Sequence, residues 1–207
     1  LIPAPHTAID GIFKLPAGHH LTLKLDGSQP LVQRWWRFKL EPISNPKSES
    51  ALVDELLEIL TRATNRRLIA DVPLGVFLSG GLDSSTIAAL SVRNLPERAL
   101  ETFTIGFREP SFDESPFAAQ VAEFLQTNHH TDTLSLDGAL AALPRILNRL
   151  DEPQGDSSLL PTWLLCRFAR TKVTVALSGD GGDELFAGYD PFRALRLASL
   201  YEKTVPR

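Results

Sequence analysis

The chain of 207 residues has 21 Lys and Arg against 25 Asp and Glu, a net charge of −4, 43% hydrophobic residues, one cysteine and no methionine. That length can bury a core. The mild negative balance excludes a general nucleic-acid surface, a single cysteine excludes an internal disulfide, and no apolar run has the length of a membrane span or the form of a signal peptide.

In chain order, Leu21-Thr22-Leu23-Lys24-Leu25 alternates, Asp26-Gly27 is a hairpin turn signal, and residues 31–38 read as the return strand. Trp35-Trp36 reads as packing at this hairpin or at a domain interface rather than as a stacking platform for bases. Residues 41–50, with two Pro and four Ser or Asn, read as a linker. Leu52, Val53, Leu56, Leu57, Ile59, Leu60 and Ala63 then recur at helical spacing. They predict an amphipathic helix capped by Ser48 or Ser50 and closed by Arg66-Arg67, where the helix dipole favours cations.

Residues 73–78 form a short apolar run of the kind buried in a parallel sheet, and residues 84–94 read as a helix with Ile87, Ala88, Leu90 and Ser91 on one side. Between them lies Ser79-Gly80-Gly81-Leu82-Asp83-Ser84-Ser85. Two glycines at a strand-to-helix turn let the backbone approach an anion, and the first free N–H groups of the helix point at it. The hydroxyls of Ser79, Ser84 and Ser85 add donors, and Asp83 makes sense there once a divalent cation lies between carboxylate and phosphate. The loop is of neither the Walker nor the dinucleotide type, because GxxxxGK[ST] and GxGxxG are both absent here. Alone, the same string also serves as an ordinary tight turn with a helix cap.

A strand over 102–107, a helix over 113–126, a strand over 130–136 and a helix over 137–150, which Pro144 breaks or kinks, follow in turn. His129-His130 reads as a surface pair, since no further His or Cys completes a metal site. The helix over 161–170 is apolar and makes Cys166 a small buried core residue. Alternation of this kind predicts a parallel sheet with right-handed crossovers.

Val173-Thr174-Val175-Ala176-Leu177 is a second β-branched run, and it too ends in Ser-Gly, as Ser178-Gly179-Asp180-Gly181-Gly182-Asp183-Glu184. Two strands ending this way present both loops at one carboxyl edge of a parallel sheet, where ligands bind. Asp183 can then join Asp83 on one magnesium ion, which leaves Asp180 and Glu184 for substrate contact or proton transfer. A solvated acidic turn is the plainer alternative, and an EF-hand is excluded by spacing.

The first loop after Asp71-Val72-Pro73-Leu74-Gly75-Val76, together with the run from Leu177 to Tyr189, resembles the synthetase domain of glutamine-hydrolysing asparagine synthetases. The resemblance extends over residues 103–118 and Asp151-Glu152-Pro153, so it covers roughly residues 50 to 195. It implies a doubly wound α/β fold of the PP-loop ATP pyrophosphatase type, preceded by a short β-hairpin. It also implies a ligase that uses ATP and Mg2+ to adenylate the aspartate side chain and then admits ammonia. Residue by residue, Ser79, Gly80, Gly81, Asp83, Ser84 and Ser85 match the pyrophosphate loop, Phe77 and Ile105 match positions beside the adenine, and Leu78 counts with the ATP-binding residues. Ser178 and Gly179 match the second nucleotide-contacting pair, and Asp83 and Asp183 match the metal carboxylates. Asp180 stands where an amide-forming base is expected and a Glu is often found, while Glu184 and Asp113 match acidic positions near the substrate amino group. A departure lies at Gly155-Asp156-Ser157-Ser158, where some relatives carry an Arg for the substrate carboxylate. A sister amide-forming enzyme of the β-lactam synthetase or peptide cyclase type therefore stands as an alternative, and a nucleotide-binding module without turnover is a further one for a truncated chain.

Residues 12–21 resemble the tail of the glutaminase domain of such enzymes. The resemblance thus divides the chain into that tail at 1–40, a linker at 41–50 and an ATP-binding domain at 51–207. The family's glutaminase uses an N-terminal Cys, whereas this chain starts at Leu1 and lacks Met, so a fragment without glutamine hydrolysis, cut within a helical stretch at 200–207, is expected. The expected partners are small molecules (aspartate, and ammonia or glutamine), with no nucleic acid and no membrane; a homodimer is compatible, and the expected location is the cytoplasm.

Overall fold

The computed structural model describes residues 2–39, 41, 47–95, 99–111, 113–134, 136–192, 194, 195 and 198. The expected helical stretch at 200–207 and residues 42–46 of the expected linker lie outside them.

The N-terminal hairpin pairs β1 (His19–Thr22) with β2 (Leu31–Arg34), antiparallel, with Thr22 opposite Leu31. Pairing starts earlier than the alternation predicts and ends at Thr22, so Leu23 and Leu25 fall in the connecting loop and are exposed. There the Ser28 N–H donates to Asp26 Oδ1 at 3.0 Å and Gly27 takes φ +79°. A side-chain turn of this kind competes with the ladder for backbone donors and ends it early. Trp35 and Trp36 are more than half exposed.

Helix α1 (Glu49–Leu68) is capped by Ser48, whose Oγ accepts from the Ala51 N–H at 3.3 Å, and Arg66 and Arg67 occupy its last turn. It packs on α2 (Leu82–Asn94). Thr64 is its buried residue, whereas Leu52, Val53, Leu56, Leu57 and Ile59 stay exposed to a third or more. Amphipathic spacing identified the helix, but no described element covers that stripe.

Four parallel strands form the central sheet: β3 (Leu74–Phe77), β4 (Glu101–Phe107), β5 (Asn128–Leu134) and β6 (Val175–Leu177), in the order β5-β4-β3-β6. Beyond α2, the helices are α3 (Ser115–Leu125), α4 (Leu136–Leu147), α5 (Leu159–Ala169) and the short α6 (Gly182–Phe186). The chain steps outward from β3 to β5 through α2 and α3, which pack on each other, and then returns past β3 to β6 through α4 and α5, which do likewise. A reversal of direction with one crossover hand puts the two helix sets on opposite faces. This is the doubly wound arrangement.

The two faces hold separate cores. Val76 and Leu78 pack with Ala88, Leu100, Ala118 and Ala122 beneath α2 and α3, while Phe103, Ala169 and Val173 pack with Phe77, Leu165 and Phe168 beneath α5. Alternation along β3 sends Val76 to one core and Phe77 to the other, as a sheet covered on both faces requires. Phe77 pairs in register with Phe103, whose fully buried ring meets Phe168 edge-on at 5.8 Å and stacks on His130 at 5.2 Å.

Three expectations are corrected in part or in whole. Pro144 does not break α4, which continues to Leu147. His129 and His130 stand near the start of β5 but are half-buried rather than a surface pair: His130 Nε2 meets Glu101 Oε2 at 2.6 Å, and Thr102 Oγ1 meets His129 Nδ1 at 3.0 Å. Cys166 is exposed, because its helix turns Leu165, Phe168 and Ala169 to the core instead.

Candidate functional site

Because β4 and β6 lie on opposite sides of β3, the sheet changes direction at β3, and the loops after β3 and β6 flank that switch point. Ligands of open α/β sheets bind at that place. A cavity of about 660 Å³ opens there. Phe77, Leu78, Ser79, Gly81, Asp83 and Ser84 line it from the first loop, and Ser178, Gly179, Asp180 and Asp183 from the second. Ile105 at the end of β4 joins them.

The first loop holds itself in shape. Ser84 Oγ donates to the Gly81 carbonyl at 3.3 Å and accepts from the Ser79 N–H at 3.2 Å. With its one proton committed, it accepts from the Ser79 hydroxyl at 2.9 Å, and Ser79 Oγ in turn accepts from the Gly81 N–H at 3.1 Å. Gly80 sits at φ +83°, and a methyl group there would lie 2.6 Å from the Ala118 nitrogen. Only glycine fits a turn with positive φ pressed onto α3. Ser85 faces elsewhere: its Oγ is buried without a hydrogen-bond partner among the described residues, beside Ala89, Val121 and Leu125 in the groove between α2 and α3.

The second loop closes against the first. A methyl group on Gly179 would come within 2.8 Å of the Ser84 nitrogen, and one on Gly182 would run into the Asp83 carboxylate. Asp180 Oδ2 accepts from the Ser178 hydroxyl at 2.9 Å. Glu184 lies on α6 outside the cavity lining, where Tyr189 Oη donates to its Oε1 at 2.7 Å. That hydroxyl holds the Glu184 carboxyl below its ordinary value, and the carboxylate pushes the Tyr189 phenol up to about 12. Asp113 also lies outside the lining. Its Oδ1 accepts the N–H groups of Phe107 at 3.2 Å and Ser115 at 3.1 Å, and the Ser115 hydroxyl and backbone hold its carboxyl low. It shapes the turn into α3.

Sequence reading missed the third wall. Pro161, Thr162 and Leu165 of α5 line the cavity, and buried Thr104 donates to the Leu78 carbonyl and ties β4 to the end of β3. No local pattern marks these residues, since they reach the site only through the crossover. Although Cys166 is exposed, partial desolvation, and then the Asp180 carboxylate, push its thiol up.

Asp83 and Asp183 are hard oxygen donors on the same cavity, and the described residues hold no cluster of three or more His, Cys, Asp or Glu that would cage a metal. That donor set fits Mg2+, which is commonly held by one or two carboxylates together with substrate phosphates.

Fold and site together define a doubly wound α/β protein with a hydroxyl- and carboxylate-lined cleft at the switch point of its sheet. The asparagine synthase family model matches residues 55–206. The chain belongs to the asparagine synthase family. It is 40% identical over 194 residues to a putative glutamine-hydrolysing asparagine synthetase of Mycobacterium tuberculosis, which covers 93% of this chain and 29% of that protein. It is 32% identical to asparagine synthetase 1 of Bacillus subtilis, described as glutamine-hydrolysing, over 93% of this chain and 30% of that protein. The chain thus spans about a third of the length of these relatives. A glutamine-dependent NAD+ synthetase of Acinetobacter baumannii, solved with adenosine diphosphate, superposes with TM-score 0.49 at 20% identity over 72% of this chain and 29% of that one. A likeness at that level decides nothing about the site. No described helix is long and apolar enough to cross a membrane.

Proposed function

We propose that this chain is the adenylating part of an ATP-dependent amide-forming ligase of the asparagine synthetase kind, working in the cytoplasm. In the first step an oxygen of the aspartate side chain bonds to the α-phosphorus of ATP and the bond to the β-phosphate oxygen breaks, giving β-aspartyl-AMP and pyrophosphate. In the second, ammonia bonds to the activated carbonyl carbon, AMP leaves with the bonding pair, and nitrogen loses a proton. The observation that carries this reading is the meeting of two Ser-Gly loops, from β3 and β6, on one cavity at the switch point.

On this reading, the first loop and the start of α2 hold the departing pyrophosphate, where backbone N–H groups and the helix terminus offset its growing charge. Phe77, Leu78 and Ile105 line the cavity beside the adenine, and Ser178 and Gly179 contact the nucleotide from the other side. Asp180, exposed and bonded to Ser178, takes the ammonia proton. Glu184 and Asp113 stay near the substrate amino group as anions. Asp83 and Asp183 would hold Mg2+, which when bound would neutralise charge on the phosphates. Residues 1–40 are then the end of a glutamine-hydrolysing domain, 41–50 a linker, and 51–207 the ATP-binding domain. Aspartate, and ammonia or glutamine, are the small-molecule partners.

The test is magnesium-dependent pyrophosphate release from ATP with aspartate and a panel of other carboxylic acids, with and without ammonia. Release with aspartate alone among the acids, lost in Asp83→Ala, supports the reading. Release with another acid moves the assignment to a sister amide-forming enzyme, and nucleotide binding without release under any acid reduces the chain to a binding module.

A further inference from the structure

Two sequence segments that the cavity does not use meet each other. One is the stretch around Lys14, and the other is Asp151-Glu152-Pro153 between α4 and α5. Lys14 Nζ donates to Glu152 Oε1 at 2.8 Å and lies 2.6 Å from Oε2, so the ammonium straddles the carboxylate. The same ammonium donates to the Ile2 carbonyl at 2.7 Å, and the Lys14 N–H donates to the Pro5 carbonyl at 2.8 Å. The cation is therefore held by its own segment before the ion pair forms, which lowers the ordering cost that makes most surface pairs weak. The side chains are only 30% and 18% exposed, so solvent screens the pair less than a rim contact.

What Glu152 anchors matters more than the pair itself. It stands in the segment that leads into α5, where Asp156 Oδ1 accepts from the Ser158 N–H and hydroxyl at 2.8 Å, and α5 then supplies Pro161, Thr162 and Leu165 to the cavity wall. The Lys14–Glu152 contact is thus joined to one wall of the cavity by a short connection that the Asp156 turn holds in shape.

We infer that Lys14 and Glu152 are positioning residues that fasten the N-terminal segment to the α5 wall of the cavity, and that this fastening couples ammonia made from glutamine to amide synthesis. The inference rests on the function proposed above. The experiment uses the full-length protein, which on the proposed function includes the complete glutamine-hydrolysing domain, with Lys14→Gln, Glu152→Gln, the double variant and Lys14→Arg. Amide formation is measured with glutamine and with free ammonia, and backbone amide exchange is followed over residues 148–165. The expected result is a loss of about five-fold in glutamine-supported turnover, with ammonia-supported turnover kept within about two-fold. The double variant is then no worse than the worse single, Lys14→Arg is near the parent, and exchange over 148–165 is faster in the Gln variants. Equal loss with both nitrogen sources, strictly additive losses, or no change overturns the inference. A parent that works with ammonia but never with glutamine also overturns it and leaves the proposed function standing. A parent that forms no amide with either source removes the proposed function itself.

Discussion

Gly182 lies against the carboxylate of Asp83 so closely that a single methyl group on its Cα would occupy the space of the carboxylate oxygens. The two residues are 99 positions apart in sequence, each in the first turn of the helix after its own strand, and the pairing of β3 with β6 brings them together. The acidic side chain of the first loop is thereby seated on the backbone of the second.

Gly182→Ala is expected to displace Asp83 and weaken the site. Overpacking of this kind costs about 1–3 kcal/mol, so ATP affinity in the presence of Mg2+ should fall about ten-fold, read by titration calorimetry. Gly155→Ala is the control, because nothing lies within 4 Å of its added methyl group.

Ser84→Ala removes the hydroxyl that organises the first loop and strands the Ser79 N–H and hydroxyl. Ser84 is only 8% exposed, so an unpaired donor there costs about 1–3 kcal/mol. Thermal unfolding should shift downward with nucleotide absent, which separates a fault in the loop from a lost ligand contact.

Tyr189→Phe releases Glu184. Its carboxyl should then titrate nearer the ordinary value of 4.5, because the largest influence lowering it is the Tyr189 hydroxyl. In the parent, the phenol should remain protonated up to about pH 12. Carboxyl-resolved NMR and ultraviolet titration read the two groups separately, and a Glu184 titration unchanged in the variant would contradict the pairing.

His129 gives the fold a pH dependence of its own. Burial, and then the neighbouring His130, depress its pKa below the ordinary 6.5, so the folded state binds its proton less readily than the unfolded chain does. Its contribution is therefore complete above about pH 6.5 and lost as the pH falls through the depressed value. Melting temperatures followed downward from neutral pH should decline, and the decline should be shallower in His129→Asn.

Local chemistry made some of this molecule legible from the chain. Glycines and hydroxyls between an apolar strand and a helix announce a turn with free donors, and Ser79 to Ser84 form that turn. Ser48 caps α1 because a hydroxyl before a helix has an N–H to accept from. Asp113 and Glu184 show the limit: their places in motifs do not tell which groups hold them, and the structure gives the Ser115 and Phe107 N–H groups to one and the Tyr189 hydroxyl to the other. Cys166 shows it again: an apolar helix was recognisable, but which of its sides meets the sheet was not.

Hydrophobic period, turn residues and caps act within a few positions, so the sequence by itself determined the alternation of strands and helices and the two loops that end in Ser-Gly. The order β5-β4-β3-β6, the closure of Gly179 and Gly182 onto Ser84 and Asp83, and the wall contributed by α5 were decided only in the tertiary structure. They depend on which distant surfaces pack together, and packing couples residues whose separation along the chain carries no periodic signal.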